Sequence, residues 1–222
     1  MENRSNKTRS NNPMPNVLSE ALDGYLTELM PDRDEVLTEM EEKAQAERIP
    51  IVGPLVGRVL HQMAVLSGAK RVFEMGSAIG YSTIWLARAV GPEGRVYYSD
   101  GSEQNAAQAR KFIERAGVAD RVVIQVGDAL ELLEQTEGSF DLIFNDVDKH
   151  DYPRVFDLAL PRVRPGGLLI TDNVLWSGRV TEPSDDRWTS AIQEYNRKAY
   201  GTGEVWTTII PLRDGVAVSL KR

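Results

Sequence analysis

Nine consecutive residues near the middle of the chain carry most of the information about its fold: Glu74-Met75-Gly76-Ser77-Ala78-Ile79-Gly80-Tyr81-Ser82. They join an apolar run of strand length to a helical pattern, and Gly76 and Gly80 flank the turn. Such a turn lets a ligand approach the backbone closely and leaves the positive end of the helix beside it. The third glycine of the dinucleotide fingerprint is missing, so an ordinary strand-to-helix turn stays an alternative.

Strand and helix patterns alternate around this turn. Strands are predicted at residues 71–75, 95–99, 122–126, 140–145 and 167–171, with helices starting near Ser82, Glu103, Ala129 and Pro153. Repeated β-α units form parallel sheets with helices on both faces. A last helix at 186–200 precedes two β-rich runs, 205–211 and 216–220, and Asp214-Gly215 between them predicts an antiparallel hairpin. The sequence therefore predicts an α/β fold with a doubly wound, mostly parallel sheet that ends in a hairpin.

The segment before this pattern is predicted to contain helices only. They span residues 17–30, 32–47 and 55–66. The second is mostly polar, and thin amphipathic helices of this kind usually cover a neighbouring surface or a ligand cleft rather than build a core. Residues 1–16 are polar and are expected to form a mobile tail. We expect one domain over residues 17–222, with cover helices at 17–66 and a core at 67–222.

Composition excludes several classes of protein. The chain has 222 residues, a formal net charge of −7 and no cysteine. Disulfides, thiolate zinc sites and cysteine nucleophiles are therefore excluded, and a metal must be held by oxygen or by one of two histidines. The acidic balance argues mildly against a dedicated nucleic-acid binder. No apolar run approaches the length of about 18 residues that a membrane span needs, and the first residues lack a secretory pattern, so we expect a cytoplasmic protein.

Two acidic residues after successive strands suggest a nucleotide-like cofactor. Asp100 lies 24 positions after Gly76, close to the spacing of about 20 residues at which an acidic side chain binds a ribose. Asp128 lies in Gly127-Asp128-Ala129 after the next strand, where a carboxylate could accept a hydrogen bond from an adenine amino group. A helix cap is an equally good explanation of Asp128.

Three oxygen-bearing side chains follow the last two parallel strands. Asp146 closes the strand at 140–145, and Asp172 and Asn173 close the strand at 167–171. If these strands are neighbours, their ends lie about 4.8 Å apart. Carboxylates so close repel each other unless a cation lies between them. With the Asn173 amide they form a set of hard oxygen donors that suits Mg²⁺, although Asp172 and Asn173 are also common in turns.

These motifs form a combination with others along the chain: Glu74-Met75-Gly76 with Gly80-Tyr81-Ser82, Gly127-Asp128-Ala129, Asp146-Val147-Asp148-Lys149, Asp172-Asn173-Val174-Leu175-Trp176 and Asp214-Gly215. The combination resembles the cation-dependent O-methyltransferases, the group of catechol and caffeoyl-coenzyme A O-methyltransferases and their bacterial relatives. The resemblance extends from about residue 49 to the C-terminus. It implies a seven-stranded, Rossmann-like class I methyltransferase sheet that binds S-adenosylmethionine, a divalent cation such as Mg²⁺, Mn²⁺ or Ca²⁺, and a homodimer.

The resemblance also implies roles for individual residues. The metal ligands would be Asp146, Asp172 and Asn173, and the catalytic residues would be Lys149, as the base, and Asp146. The cofactor would lie against Val52, Glu74, Gly76, Ser82, Asp100, Asp128, Ala129 and Asp146. Within that set, Val52 and Ser82 would meet the methionine end, Asp100 the ribose, and Asp128 with Ala129 the adenine. The chain departs from the family at Asn145, usually apolar, and at Val147, usually alanine.

The predicted reaction is methyl transfer to one hydroxyl of a catechol-like phenol. A sulfonium methyl is already activated, so the enzyme must supply an aligned oxyanion, and a cation next to a vicinal diol favours its formation. Lys149 would take the proton, although a solvated surface lysine is the alternative. Trp176 would wall the substrate ring or be a packing residue, and His150 would line the entrance or be structural.

A second predicted function is methylation of a hydroxylated wobble uridine in transfer RNA, which some bacterial proteins similar to this one carry out. Arg154, Arg162, Arg164 and the tail residues Arg4, Lys7 and Arg9 could then contact phosphates. Such charges usually form only a solvated surface. A non-catalytic cofactor-binding protein is disfavoured because both the metal ligand set and the base are present.

Overall fold

The computed structural model describes residues 18–222, and the predicted mobile tail at 1–16 lies outside these residues. Within them the strands are β1 (Arg71–Met75), β2 (Arg95–Asp100), β3 (Val122–Val126), β4 (Phe140–Asn145), β5 (Val163–Thr171), β6 (Val205–Ile210) and β7 (Val216–Lys221). They form one seven-stranded sheet in the order β3-β2-β1-β4-β5-β7-β6. β7 is antiparallel to both β5 and β6, and the remaining pairs are parallel. The predicted fold class is confirmed.

Eight α-helices accompany this sheet within residues 18–222: α1 (Glu20–Glu28), α2 (Glu35–Glu47), α3 (Gly53–Leu66), α4 (Tyr81–Val90), α5 (Glu103–Arg115), α6 (Ala129–Gln135), α7 (Tyr152–Ala159) and α8 (Arg187–Gly201). Several start at a residue whose side chain accepts from first-turn N–H groups, as at Asp34, Ser102 and Asp186. These caps satisfy N–H groups that have no partner inside the helix. None of the helices in this part of the chain has the length and apolarity that a bilayer crossing requires.

The hydrophobic core lies in two layers, one on each face of the sheet. Successive strand residues point to opposite faces. Val72, Leu142 and Ile170 pack with α2 to α5, whereas their neighbours Phe73, Ile143 and Leu169 pack with α6, α7 and α8. This two-sided burial explains why the central strands are apolar along nearly their whole length.

The strand register brings the predicted site residues to one edge of the sheet. Met75 is paired with Ser99 on one side and with Asn145 on the other, and Asn145 is paired with Thr171. The next residues continue the ladder, since Asp146 N donates to Met75 O at 2.9 Å and Asp172 N donates to Asn145 O at 3.1 Å. The side chains of Asp146 and Asp172 are thereby fixed by main-chain pairing to neighbouring strand ends.

The structure differs from the sequence-based expectations at three elements. α1 is shorter than residues 17–30 and buries none of its side chains. α2 does contribute to the core, through Val36, Leu37 and Met40, because its narrow apolar stripe is enough to pack against the helices beneath it. β5 starts at Val163 rather than at residue 167. Its pairing with β4 shifts register between Phe140 and Leu142, so that the Pro165-Gly166-Gly167 segment lies within the strand.

Candidate active site

A cavity of about 710 Å³ opens at the carboxyl edge of the sheet. Its lining includes six of the predicted site residues: Gly76, Asp100, Asp146, Lys149, Asp172 and Asn173. A second cavity of about 350 Å³ shares Gly76, Asp100 and Asp146 with the first and adds Asp128 and Ala129. The residues predicted for the ribose, the adenine and the metal therefore surround two adjoining spaces.

The glycine turn brings the ends of β1 and β4 into close contact. Gly76 has φ +82°, and a Cβ there would lie 2.6 Å from the carbonyl oxygen of Asp146. Gly80 has φ 86° and precedes α4. Only glycine adopts such a conformation without strain, and only a residue without a side chain lets the Asp146 backbone approach so closely. The turn therefore positions a predicted metal ligand in addition to leaving space for a cofactor.

Asp100 is held in one orientation by its neighbours. Its Oδ2 accepts from Ala78 N at 2.9 Å, and its Oδ1 accepts from Ser102 N at 2.9 Å and from the Asn105 side chain at 3.0 Å. The carboxylate lines both cavities. The contact of Asp100 with a ribose stays a prediction. Its side chain already has a fixed orientation without the ligand.

Asp128 caps α6. Its Oδ1 accepts from Leu130 N at 2.9 Å and from Glu131 N at 3.0 Å. The helix-cap explanation is thus confirmed. Because Asp128 and Ala129 also line the smaller cavity, the adenine contact stays a prediction alongside it.

Lys149 is not a solvated surface lysine. Its Nζ donates to Asp146 Oδ1 at 2.7 Å and to Val147 O at 3.3 Å, and it lies 5.3 Å from the centre of the Tyr152 ring. The Lys149 and Asp146 side chains are only 15% and 21% exposed. A charge-assisted hydrogen bond at this distance holds the amine at the wall of the large cavity.

Asp172 is a buried carboxylate that lacks a full set of partners. It is 4% exposed, and its Oδ1 has no hydrogen-bond partner among residues 18–222. Burial raises the pKa of Asp172, and the nearby charge of Asp146 raises it further. Burial also raises the pKa of Asp146, opposed by Lys149. The two carboxyl groups are desolvated and their negative charges repel each other. A bound cation would relieve this repulsion.

A metal at this place would need the Asn173 amide. Within residues 18–222 no group of three histidine, cysteine or acidic side chains is arranged to hold a metal. Asp146, Asp172 and Asn173 line the same cavity, and carboxylate and amide oxygens suit Mg²⁺ or Ca²⁺ better than zinc. The donor set fits a hard divalent cation, and its occupancy stays a prediction.

Three residues predicted to contact the cofactor do not line either cavity. Val52, Glu74 and Ser82 are buried beside the glycine turn. Glu74 Oε2 accepts from the Thr83 hydroxyl, and its Oε1 has no partner among the described residues. Burial raises the pKa of Glu74 to about 7, and the hydroxyls of Ser82, Thr83 and Ser77 oppose this effect. Their contacts with a cofactor stay predictions.

The cavity also contains residues that the sequence analysis did not identify. Arg48, Ile49, Pro50 and Ile51, from the connection between α2 and α3, form part of the lining, as does Arg213 from the β6–β7 hairpin. Arg213 Nη1 donates to Ile51 O at 3.0 Å, which joins two segments far apart in sequence. No local pattern marks such a contact. Asn105, in the first turn of α5 and three residues after its cap, could have been found from that spacing.

The structure bears on the alternatives left open for Trp176 and His150. Trp176 packs against the core layer of α6 to α8, as the packing explanation requires, and it also lines the large cavity, so its contact with a substrate ring stays a prediction. His150 lines neither cavity, and its imidazole lies 3.3 Å from Asp151. Asn145 is fully buried and approaches Thr171 of the neighbouring strand at 3.5 Å, beneath the predicted metal ligands.

The position of the cavities defines a class of protein. In open α/β sheets, ligands bind where the strand order reverses. Here that point lies between β1 and β4, where Gly76 and Asp146 meet. A doubly wound sheet with ordered acidic side chains around this crevice is an enzyme scaffold for a nucleoside-containing cofactor.

Comparisons with known proteins identify the family. The profile of the O-methyltransferase family matches residues 27–222. A catechol O-methyltransferase of Niastella koreensis is 34% identical over 219 residues, which cover 93% of this chain and 99% of that protein. One of Mycobacterium tuberculosis is 37% identical over 168 residues, covering 74% of this chain and 76% of that protein.

Solved structures agree with these relatives. An O-methyltransferase from Bacillus cereus in complex with SAH has a TM-score of 0.83 at 34% identity, covering 91% of this chain and 97% of that one. One from Streptomyces achromogenes in complex with SAM has a TM-score of 0.82 at 32% identity, covering 90% and 96%. The chain belongs to the O-methyltransferase family and is an S-adenosylmethionine-dependent O-methyltransferase.

Proposed function

We propose that this enzyme requires a divalent cation, held by Asp146, Asp172 and Asn173, and methylates one hydroxyl of a catechol-like small molecule. The observation that carries the proposal is the unpartnered Oδ1 of buried Asp172 in the same cavity as Asp146. An uncompensated buried carboxylate is unfavourable, and a cation bound between the two would compensate it. Two relatives are named for catechol methylation, which supports the acceptor class.

Each part of the cavity has a task in this reaction. When bound, S-adenosylmethionine supplies an activated methyl group, and the divalent cation acidifies and orients the acceptor hydroxyl. Lys149 accepts the hydroxyl proton at Nζ, and Asp146 keeps that nitrogen in place. Asp100 and Asp128 hold the adenosine part of the cofactor. Trp176 and the segment at residues 49–51 contact the acceptor ring and exclude water.

The transfer RNA alternative receives no support from two of the three described arginines predicted to contact phosphate, and the third, Arg154, is an isolated exposed residue. Arg162 donates to the main-chain carbonyls of Leu133, Thr136 and Gly138. Arg164 is paired with Asp141 at 2.5 Å and also donates to Ser67 O. Both side chains are occupied within the fold. The tail residues Arg4, Lys7 and Arg9 lie outside the described residues, and homodimer assembly and a cytoplasmic location stay predictions.

Removal of metal tests the proposal. Purified protein is assayed with labelled S-adenosylmethionine and catechol, before and after chelation. We expect methyl transfer to stop after chelation and to return with Mg²⁺, while calorimetry still detects cofactor binding. A full rate in the chelated sample would show that Asp146, Asp172 and Asn173 have another role.

A substrate panel tests the acceptor class in the same assay. It contains catechols and hydroxylated and unmodified transfer RNA at low and high salt. We expect transfer to catechols only. Methylation of the hydroxylated transfer RNA without any transfer to catechols would replace the small-molecule proposal by the alternative.

A further inference from the structure

A short loop after β5, the β5 loop (residues 173–178), carries the predicted metal ligand Asn173 and the cavity residue Trp176. Its backbone is unusual, since Asn173, Trp176 and Ser177 have φ of 57°, 47° and 53°. Asparagine adopts such left-handed values at low cost, but tryptophan and serine rarely do. A conformation of this kind persists only where neighbouring structure holds it in place.

The hairpin turn between β6 and β7 supplies hydrogen bonds that hold the β5 loop. Val174 N donates to Gly215 O at 3.0 Å, and Leu175 N donates to Asp214 O at 2.9 Å. Asp214 Oδ1 accepts from Ser177 N, and from the Ser177 hydroxyl at 3.3 Å. The loop is therefore bound to the turn both near its beginning and near its end.

Gly215 lets the hairpin turn approach the β5 loop this closely. Its φ is +85°, and a Cβ there would overlap the Leu175 side chain. The Asp214 carboxylate is directed at Ser177 rather than at its own turn, since it accepts from no other donor among residues 18–222. Asp214-Gly215 therefore has a second task besides forming the hairpin, which is to fix the neighbouring loop.

Asn173 and Trp176 depend on this support because the pairing of strands ends before them. The ladder reaches Asp172, whose N–H donates to Asn145 O at 3.1 Å, and the chain leaves the sheet after it. Asn173 and Trp176 both line the large cavity, whereas Asp214 lines neither cavity. Any effect of Asp214 on the reaction must therefore pass through the β5 loop or through its negative charge.

We propose that Asp214 is a positioning residue, whose carboxylate oxygen holds the β5 loop so that Asn173 reaches the cation and Trp176 contacts the acceptor ring. The inference rests on the proposed function and adds to it a residue outside the cavity. Groups that orient a metal ligand without touching the metal commonly change metal affinity by a factor of about 10 to 100 when they are removed.

The test compares variants that separate the hydrogen bonds of Asp214 from its charge. Asp214→Ala removes both, whereas Asp214→Asn removes the charge and keeps an acceptor oxygen for Ser177. Asp34→Ala is the control for lost stability, because Asp34 Oδ1 also accepts two hydrogen bonds, from Val36 N and Leu37 N, and lines neither cavity. Asp214→Ser, which shortens the side chain, replaces Asp214→Ala if the alanine variant does not fold.

Two quantities are measured for each variant, after urea denaturation has shown that the variant is folded. Calorimetry with S-adenosylhomocysteine present gives the Mg²⁺ dissociation constant, which reports the position of Asn173. The ratio of vanillin to isovanillin formed from protocatechualdehyde reports how the acceptor ring lies against Trp176.

We expect Asp214→Ala to raise the Mg²⁺ dissociation constant about tenfold and to change the product ratio about threefold. Asp214→Asn and Asp34→Ala should keep both quantities within about twofold of the wild type, because the β5 loop keeps its support in each of them. Unchanged values in Asp214→Ala, with a wild type that binds Mg²⁺, would overturn the inference and leave the proposed function intact.

The remaining outcomes also decide the matter. An equal loss in Asp214→Asn would assign the effect to charge, an equal loss in Asp34→Ala would assign it to stability, and either result would overturn the inference. A change in one quantity alone would overturn the part of the inference that concerns the other residue. A wild type that binds no Mg²⁺ and needs none would overturn the proposed function and the inference together.

Discussion

The two ends of the large cavity are built by different means. On the strand-end side, Gly76, Asp100, Asp146 and Asp172 follow paired strands, and main-chain hydrogen bonds fix where they lie. On the cover side, the segment at residues 48–51 and Arg213 come from connections, and a single hydrogen bond from Arg213 to Ile51 joins them. From this difference we expect the chemistry to depend on the edge of the sheet, and the choice of acceptor to depend on the connecting segments.

The largest expected effect is on the strand-end side. Asp172→Asn keeps the shape of the side chain and removes the charge, so it should lower kcat/KM about a thousandfold through loss of the cation. Calorimetry should show weaker Mg²⁺ binding and nearly unchanged cofactor affinity. Asp185→Asn, at an exposed position, is the matched control. Normal Mg²⁺ affinity in Asp172→Asn would contradict the assignment.

Lys149→Met should lower kcat about a hundredfold and change KM little, because the lost group acts on a proton in the transition state. Lys198→Met removes a partly exposed lysine that pairs with Asp157 on the surface and should leave kcat unchanged. If both variants turn over equally fast, Lys149 is not the base.

Glu74 should make the metal-free protein less stable as the pH rises. Its pKa is raised to about 7 by burial in the folded protein, so the folded state binds more protons than the unfolded state. The contribution of Glu74 to the free energy of unfolding should therefore fall by about 3 kcal/mol between about pH 4 and pH 7. Denaturant titrations should show that Glu74→Gln reduces this slope, and the remaining slope belongs to Asp146 and Asp172, whose pKa burial also raises. A slope equal to that of the wild type would contradict the contribution of Glu74.

Gly76→Ala tests the close approach of β1 and β4. A Cβ at this position meets Asp146 O at 2.6 Å and takes a strained φ, so the free energy of unfolding should fall by about 2 kcal/mol. Gly101→Ala, where a Cβ has nothing within 4 Å, is the control for the effect of the methyl group. Equal stability of the two variants would show that the turn can relax.

The smallest expected effect is on the cover side. Ile51→Ala removes apolar contact from the acceptor end, and KM for catechol should rise about fivefold while cofactor affinity and Mg²⁺ affinity stay unchanged. A loss of cofactor affinity equal to the change in KM would show that the two ends are not separable.

The fold could be predicted largely from sequence because it depends on local periodicity and turn residues. The alternating strand and helix patterns predict a parallel sheet. Asp214-Gly215 between the last two strands predicts the hairpin. The predicted start of β5 was wrong because Pro165 and the two glycines after it resemble a loop. In the structure they remain within β5, and the pairing with β4 has an irregular register at this place.

The site could be predicted only where its residues follow strands directly. Asp100, Asp146 and Asp172 line the cavity as expected, since strand ends determine their place. Arg48 and Arg213 were not predicted because tertiary packing brings them to the cavity, and an arginine in a turn has no sequence pattern of its own. The resemblance to a family added the individual roles, which the experiments above test.

The hydrogen bond from Arg213 to Ile51 has an evolutionary consequence. It connects an early and a late part of the polypeptide within the lining of the cavity, so two short stretches distant in the gene jointly shape that lining. Paralogues could diversify their substrates by co-variation at these stretches while inheriting the catalytic edge unaltered.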